Sequence, residues 1–160
     1  MPRHSACVLT VFLFALVAAF TTTIPAQAQT GRRAQFLNSG QAEKLGLPFS
    51  EAVRAGDFLY LSGQIGNTPD ETAPVPGGIA AEARQALQNV KQALERHGSA
   101  PEAVIKCTVF LADMSEWAGF NKVYREFFKP PYPARSAVGV NGLALNARVE
   151  VECVAYAPRD

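Results

Sequence analysis

The chain has 160 residues, a formal net charge of +1 at neutral pH and 48% hydrophobic residues. Its basic residues form no clustered patch, which excludes the electrostatic footprint of a nucleic-acid-binding protein. Its two histidines, His4 and His97, are far apart, and its three cysteines form no CxxC motif, so no metal site is expected.

The first 28 residues have the pattern of a secretory signal peptide. Arg3 and His4 form a short basic start, residues 6–20 form an apolar run, and Ala26-Gln27-Ala28 is a small-residue cleavage signal. A membrane anchor is the alternative, but the apolar run is shorter than the roughly 20 residues that a spanning helix needs. We predict cleavage after Ala28, a periplasmic or secreted protein, and no membrane attachment after cleavage.

The remaining chain is large enough for one domain with its own core. We divide it into a polar N-terminal arm, residues 29–47, with room for one short edge strand, and a folded domain, residues 48–160. Cys107 and Cys153 lie in apolar strand patterns of that domain. An oxidising compartment permits a disulfide between them, but we predict buried free thiols.

In the first half of the domain the sequence predicts two strands and a helix. A short strand is predicted over residues 49–53, and a stronger one, rich in aromatic and apolar residues, over 58–62. Residues 67–78 contain three prolines and two glycines, which indicates a surface loop. Apolar residues recur at helical spacing over 79–97, and Gly98 is suited to end that helix.

The second half predicts a strand, a helix and two further strands. The strand over 104–111 has an apolar face formed by Ile105, Cys107, Val109 and Leu111. Asp113 and Glu116 resemble a capping box that opens the second helix. Its apolar stripe is Trp117, Phe120, Val123, Tyr124, Phe127 and Phe128. Strands are predicted over 135–140 and 148–157.

The element order β-β-α-β-α-β-β predicts a two-layer α+β domain with both helices on one face of the sheet. The second face would then stay uncovered. It would carry Lys106, Thr108 and the Glu150 side of the last strand. A mixed face of this kind favours burial against another subunit.

The candidate site begins with Arg135 in the segment Tyr132-Pro133-Ala134-Arg135-Ser136. An arginine held after a stiff proline turn can clamp a carboxylate bidentately. The alternative is a structural salt bridge to Glu150 or Glu152. These two glutamates share a strand face. Glu150 could hold a water or move a proton, or both could belong to a solvated sheet face.

Two further positions carry open alternatives. Asn121 interrupts an aromatic helix face and points an amide either into a pocket or onto a neighbouring loop. Gly63 ends a strong strand, where it permits either close approach of a ligand to the backbone or a simple bulge. With His97 the only histidine after the signal segment, no Ser-His-Asp or Cys-His arrangement can be assembled.

Together these segments resemble the reactive intermediate deaminase (Rid, or YjgF-like) family over residues 48–157. Each motif is short, but seven occur in order with matching spacing. They are residues 48–53, 61–65, 83–90, 104–111, 121–128, 132–136 and 149–152.

The resemblance implies a chorismate-mutase-like α+β fold and a homotrimer with clefts between subunits. It implies that Arg135 binds the substrate carboxylate and that Glu150 orients the attacking water. Phe49, the backbone at Gly63, Asn121 and the position of Ala137 would line the cleft. The chain departs from the family at two of these positions, since Phe49 replaces a common tyrosine and Ala137 a frequent cysteine.

The implied activity is hydrolysis of enamine and imine intermediates, such as 2-aminoacrylate and other 2-imino acids, to 2-keto acids and ammonia. It requires no cofactor or metal, and the expected ligands are small 2-imino or 2-keto carboxylic acids. The alternative is a non-catalytic trimer that binds small carboxylates or acts as a chaperone. Ribonuclease activity occurs in some relatives, but the near-zero charge of the domain argues against it.

Overall fold

The computed structural model describes residues 34–40, 44, 46–68, 71 and 73–158. The predicted signal peptide, residues 1–28, lies outside the described residues, as do parts of the predicted arm and loop. The strands are β1 (Gln35–Leu37), β2 (Ala52–Ala55), β3 (Phe58–Leu61), β4 (Gln64–Ile65), β5 (Val104–Leu111), β6 (Ala134–Gly139) and β7 (Val149–Tyr156). The helices discussed below are α1 (Gly78–Arg96) and α2 (Trp117–Phe127).

All seven strands form one mixed sheet in the order β1-β2-β3-β7-β5-β6, with the short β4 also paired to β7. Only the β5–β6 pair is parallel among the described strands, and α2 lies in the connection between them. Such a parallel pair needs a crossover connection, which a helix commonly supplies. The sheet and its two helices confirm the predicted α+β class.

The core lies between the helices and one face of the sheet. On β7, Val149, Val151, Cys153 and Ala155 are buried and alternate with more exposed residues, as a strand covered on one face requires. Helix α1 buries Ala86, Leu87, Val90 and Leu94 against this face, and α2 contributes Phe120, Val123 and Tyr124.

The opposite sheet face lacks a covering element in the part of the chain that the structure describes. We call it the open face. Its members are Phe58, Tyr60, Lys106, Thr108, Phe110, Ser136, Val138, Glu150, Glu152, Val154 and Tyr156. Phe58, Tyr60, Val138 and Tyr156 are each at least 40% exposed. An aromatic and aliphatic surface of this kind is typical of an interaction site.

Two strand predictions need correction. Strand β2 begins at Ala52, so Phe49 precedes it, because pairing with β3 starts at Ala52 opposite Leu61. Ile105 was expected on the buried face of β5, but its side chain is 45% exposed. The β5–β7 register shifts between Val104 and Lys106. A bulge of this kind turns the extra residue away from the regular alternation.

The predicted capping box forms only in part. Asp113 accepts a hydrogen bond from the Ser115 backbone N–H at 2.8 Å, and this bond lowers the pKa of the Asp113 carboxyl. It caps a short 3₁₀ turn, Met114–Glu116, which leads into α2. The second bond of a capping box, from the Asp113 backbone N–H to the Glu116 carboxylate, is not formed, because that carboxylate pairs with Arg148 instead.

The prediction of free thiols is wrong, since Cys107 and Cys153 form a disulfide. Strands β5 and β7 are antiparallel neighbours, and their register places these two residues directly opposite each other with Cα atoms 4.1 Å apart. Both side chains face the core, which brings the sulfurs within bonding range. Hydrophobic alternation alone did not define this register.

No helix within the described residues combines the length and the apolar character needed to cross a bilayer.

Candidate functional site

Arg135 lies on the edge strand β6 and points toward the helices. Its register partner on β5 is Cys107, which is buried on the helix-covered face, so Arg135 belongs to that face. The guanidinium carbon lies 4.5 Å from the centroid of the Tyr124 ring and 5.9 Å from that of Phe120. Both distances are typical of a cation–π contact.

The guanidinium of Arg135 makes no hydrogen bond or ion pair with any residue that the structure describes. By contrast, the guanidinium of Arg54 donates to the carbonyls of Ala157 and His97. The structural salt bridge from Arg135 to Glu150 or Glu152 is therefore wrong, since those glutamates lie on the open face. The half-buried Arg135 keeps its donors available for a ligand.

Ala137 lies on the same strand as Arg135, and Asn121 lies on helix α2, which also carries the Phe120 and Tyr124 rings that Arg135 contacts. Ala137 is two residues along β6 on the same sheet face and packs against the core. Asn121 is half-buried on α2, three residues before Tyr124, and its amide makes no hydrogen bond to the described residues. The alternative in which Asn121 holds a neighbouring loop therefore lacks support. We call Arg135, Ala137 and Asn121 the arginine half-site.

Glu150 lies on β7 and belongs to the open face. It is opposite Phe110 on β5 and Ile65 on β4, and its side chain is half-buried. Burial raises the pKa of the Glu150 carboxyl, and the nearby charge of Glu152 raises that pKa further. A raised pKa brings a carboxylate closer to the range in which it can exchange protons with a substrate.

The start of β7, which carries Glu150, is anchored by a buried acid. Glu82 on α1 accepts a hydrogen bond from the backbone N–H of Arg148 at 2.8 Å and also lies 3.6 Å from its Nε. Glu116 pairs with the same guanidinium from the start of α2. Arg148 thereby ties both helices to the strand, two residues before Glu150.

Gly63 lies directly against Glu150. A Cβ atom placed on Gly63 would lie 1.7 Å from Glu150 Oε1, so only glycine permits this approach. The preceding Ser62 donates through its hydroxyl to the Ser50 carbonyl at 2.6 Å and through its N–H to Glu51. These bonds tie the segment that carries the exposed Phe49 to Gly63. We call Phe49, Gly63 and Glu150 the glutamate half-site.

A single chain does not bring the two half-sites together. Arg135 is on the covered face of the sheet and Glu150 is on the open face. Strand β5 also lies between β6 and β7, so the strands that carry Arg135 and Glu150 are roughly 10 Å apart within the sheet. A small carboxylic acid held by Arg135 is therefore out of reach of Glu150 in the same chain.

The one histidine in the sequence of the folded domain, His97, makes a structural contact with Glu51. His97 Nε2 lies 2.8 Å from Glu51 Oε2, and Arg96 pairs with the same carboxylate. These contacts fix the segment after Phe49 to the end of α1. Within the described residues no group of three or more potential metal ligands is present.

Tyr124 is the site residue that the sequence did not single out. The pattern predicts it only as part of the apolar stripe of α2, and it is indeed buried there. Its contact with Arg135 depends on where β6 packs across the helix. No spacing within the sequence specifies that contact.

Comparison with known proteins identifies the family. The profile described as Endoribonuclease L-PSP matches residues 41–157. Protein MMF1, mitochondrial, from Saccharomyces cerevisiae is 47% identical over 107 residues, which are 67% of this chain and 73% of that protein. A protein from Dermatophagoides farinae named 2-iminobutanoate/2-iminopropanoate deaminase is 43% identical, over 67% of this chain and 84% of its own.

A solved structure agrees with these matches. The crystal structure of RidA from the Antarctic bacterium Psychrobacter sp. superimposes with a TM-score of 0.70 at 34% identity, covering 76% of this chain and 98% of that one. The fold is thus the chorismate-mutase-like fold that the resemblance implied. The profile match over most of the sequence shows that this chain belongs to the endoribonuclease L-PSP family, which is the YjgF/RidA family.

Proposed function

We propose that this protein hydrolyses 2-imino acids to 2-keto acids and ammonia. The observation that carries the proposal is the half-buried Arg135, whose guanidinium lies over aromatic rings and binds no acceptor among residues 34–158 as far as the structure describes them. Such a group is suited to bind a carboxylate through two parallel N–H donors. The deaminase names of relatives at 41–43% identity support the same chemistry.

In this reaction Arg135 fixes the carboxylate and thereby places the adjacent C=N carbon. The Glu150 carboxylate accepts a proton from a water as that water attacks the carbon, and the imine nitrogen takes a proton from solvent, which gives a neutral carbinolamine. Glu150 then passes its proton to the amino nitrogen. The C–N bond breaks to release ammonia, while the carbinolamine hydroxyl loses its proton to solvent and becomes the keto oxygen. Enamines such as 2-aminoacrylate enter after tautomerising to the imine.

The complete site requires a second copy of the chain. Because the half-sites face opposite sides of the sheet, we assign Arg135 of one copy and Glu150 of its neighbour to each reaction centre. The exposed aromatic residues of the open face support burial between copies. A cyclic homotrimer would contain three such centres.

An assay that follows the imine tests the activity directly. An amino acid oxidase generates the 2-imino acid, and loss of that imine is measured with and without the chain from residue 29 onward. We expect faster imine loss with stoichiometric release of ammonia. Binding of 2-keto acids without faster loss would favour the non-catalytic binding protein, and cleavage of RNA by the same preparation would favour a nuclease.

Gly63→Ala tests the placement of Glu150. The new methyl group collides with the carboxylate tip, which is flexible and can move aside, so the melting temperature should change little. Turnover should nevertheless fall at least tenfold, because a displaced base loses its alignment with the water. Gly40→Ala is the matched control, since a Cβ there meets nothing within 4 Å. Wild-type turnover in Gly63→Ala would contradict this role for Glu150.

We also propose that the protein is exported and cleaved after Ala28. The Ala26-Gln27-Ala28 signal supports this, and the Cys107–Cys153 disulfide suits an oxidising compartment. Mass spectrometry of protein from the native host, after alkylation without reduction, should give an N-terminus at Gln29 and two unmodified cysteines. A mass that begins at Met1 with alkylated Cys107 and Cys153 would contradict export.

A further inference from the structure

The contact beneath Arg135 assigns a role to a residue outside the two half-sites. Tyr124 is 4% exposed, and its ring lies 4.5 Å from the Arg135 guanidinium carbon, closer than that of Phe120 at 5.9 Å. The ring also contacts Phe128 at a centroid distance of 4.7 Å. Tyr124 is therefore a rigid surface, fixed from behind by other aromatic residues.

The way an arginine is held determines what its N–H groups can do. Arg54 and Arg148 are held by oxygen acceptors, so part of their donor set is occupied within the chain. Arg135 is instead held over the ring of Tyr124, and no oxygen acceptor among the described residues occupies its N–H donors. A guanidinium fixed in this way is oriented and remains free to bind a carboxylate in its own plane.

The hydroxyl of Tyr124 does not explain why this residue occupies the position. It is buried and has no hydrogen-bond partner in the described part of the chain. Burial raises the pKa of Tyr124 to about 12, although the positive charge of Arg135 acts in the opposite direction, so the hydroxyl stays protonated. A buried hydroxyl without a partner is destabilising. What Tyr124 contributes is therefore its ring.

We infer that Tyr124 is a positioning residue whose ring orients Arg135 for the substrate carboxylate, and that its hydroxyl takes no part. The inference rests on the proposed function. It adds that the affinity for 2-imino and 2-keto acids depends on an aromatic face at position 124. Because the carboxylate is bound before and during the reaction, loss of that face should raise KM more than it lowers kcat.

The test compares Tyr124→Phe, which keeps the ring, with Tyr124→Leu, which removes it. Phe127→Leu is the matched control, because it removes a ring of the same cluster that packs on Phe128. Three quantities are measured on the full mature protein: the Kd for 2-ketobutyrate, the KM and kcat for the imine, and the NMR shift of the Arg135 Nε–H proton. That proton should resonate upfield while it lies over an aromatic face.

For Tyr124→Leu we expect the Kd for 2-ketobutyrate and the KM for the imine to rise about tenfold. The kcat should fall by less, and the upfield shift of the Arg135 proton should be lost. Tyr124→Phe should restore the shift and most of the affinity. Phe127→Leu should lower the melting temperature while keeping the upfield shift. Equal impairment by Tyr124→Phe and Tyr124→Leu would assign the role to the hydroxyl and overturn the inference, as would an unchanged shift and Kd in Tyr124→Leu.

Two further outcomes are distinguishable. If Tyr124→Leu does not fold, Tyr124→Met supplies a second non-aromatic variant, and Tyr124→Phe alone overturns the inference if it loses the upfield shift. If the wild-type protein neither binds 2-ketobutyrate nor consumes the imine, the proposed function fails. The NMR comparison then still decides whether the ring orients Arg135.

Discussion

Arg135→Lys should lower kcat/KM for the imine by about 10- to 100-fold and leave the fold intact. Lysine keeps the positive charge but lacks the planar fork, so at least one charge-assisted hydrogen bond to the carboxylate is lost. The structural cost should be small, because Arg135 binds no acceptor within the described residues. Steady-state kinetics of imine loss and a thermal melt measure the two effects.

Arg84→Lys is the matched control for this substitution. Its guanidinium lies 3.1 Å from the Glu126 carboxylate on the exposed helix surface, so the same chemical change occurs away from both half-sites. Activity should then equal that of the wild type. A sharply lower melting temperature with unchanged turnover per folded molecule in Arg135→Lys would refute carboxylate binding by Arg135. The arginine would then have a structural role.

Glu150→Gln should lower kcat by about 100-fold or more while sparing affinity for the 2-keto acid product. The amide keeps the size of the side chain but cannot accept a proton from water, and general base catalysis typically contributes this much. Titration with 2-ketobutyrate and single-turnover imine loss separate binding from chemistry. Wild-type kcat in this variant would exclude Glu150 as the base.

The pH dependence of imine turnover is a second test of Glu150 as the general base. Burial and the charge of Glu152 raise the pKa of Glu150, so activity should be lost on acidification at a higher pH than for an ordinary glutamate. Glu152→Gln removes the like charge, and the acid limb should therefore move to lower pH with the plateau kcat retained. An unmoved acid limb would mean that another group titrates.

The fold was predictable from the sequence because its patterns are local. The helical spacing of α1 and the alternation along β7 arise within one element, and both elements occur where they were predicted. The prediction that Ile105 is buried was wrong because β5 contains a bulge there. The position of that bulge is set by pairing between strands and not by the residue itself. The disulfide was missed for the same reason, since only the β5–β7 register places its two cysteines opposite each other.

The sequence predicted which residues form the site but not how they are arranged in space. Arg135 and Glu150 were identified from their chemical types and from the family resemblance, which also predicted clefts between subunits. That they face opposite sides of the sheet follows from the pairing of Cys107 with Arg135 and of Phe110 with Glu150. The contact of Tyr124 with Arg135 joins a helix to an edge strand, and no local pattern encodes it.

A site shared between two copies of the chain can be tested most directly by mixing two inactive variants. Arg135→Ala and Glu150→Gln chains are prepared separately, unfolded together in equal amounts and refolded, and imine loss is compared with that of each variant alone. If each site takes Arg135 from one chain and Glu150 from its neighbour, about one quarter of the sites in a random trimer contain both intact groups. We therefore predict recovery of roughly a quarter of wild-type activity. A mixture as inactive as its components, from variants that co-assemble, would contradict the shared site.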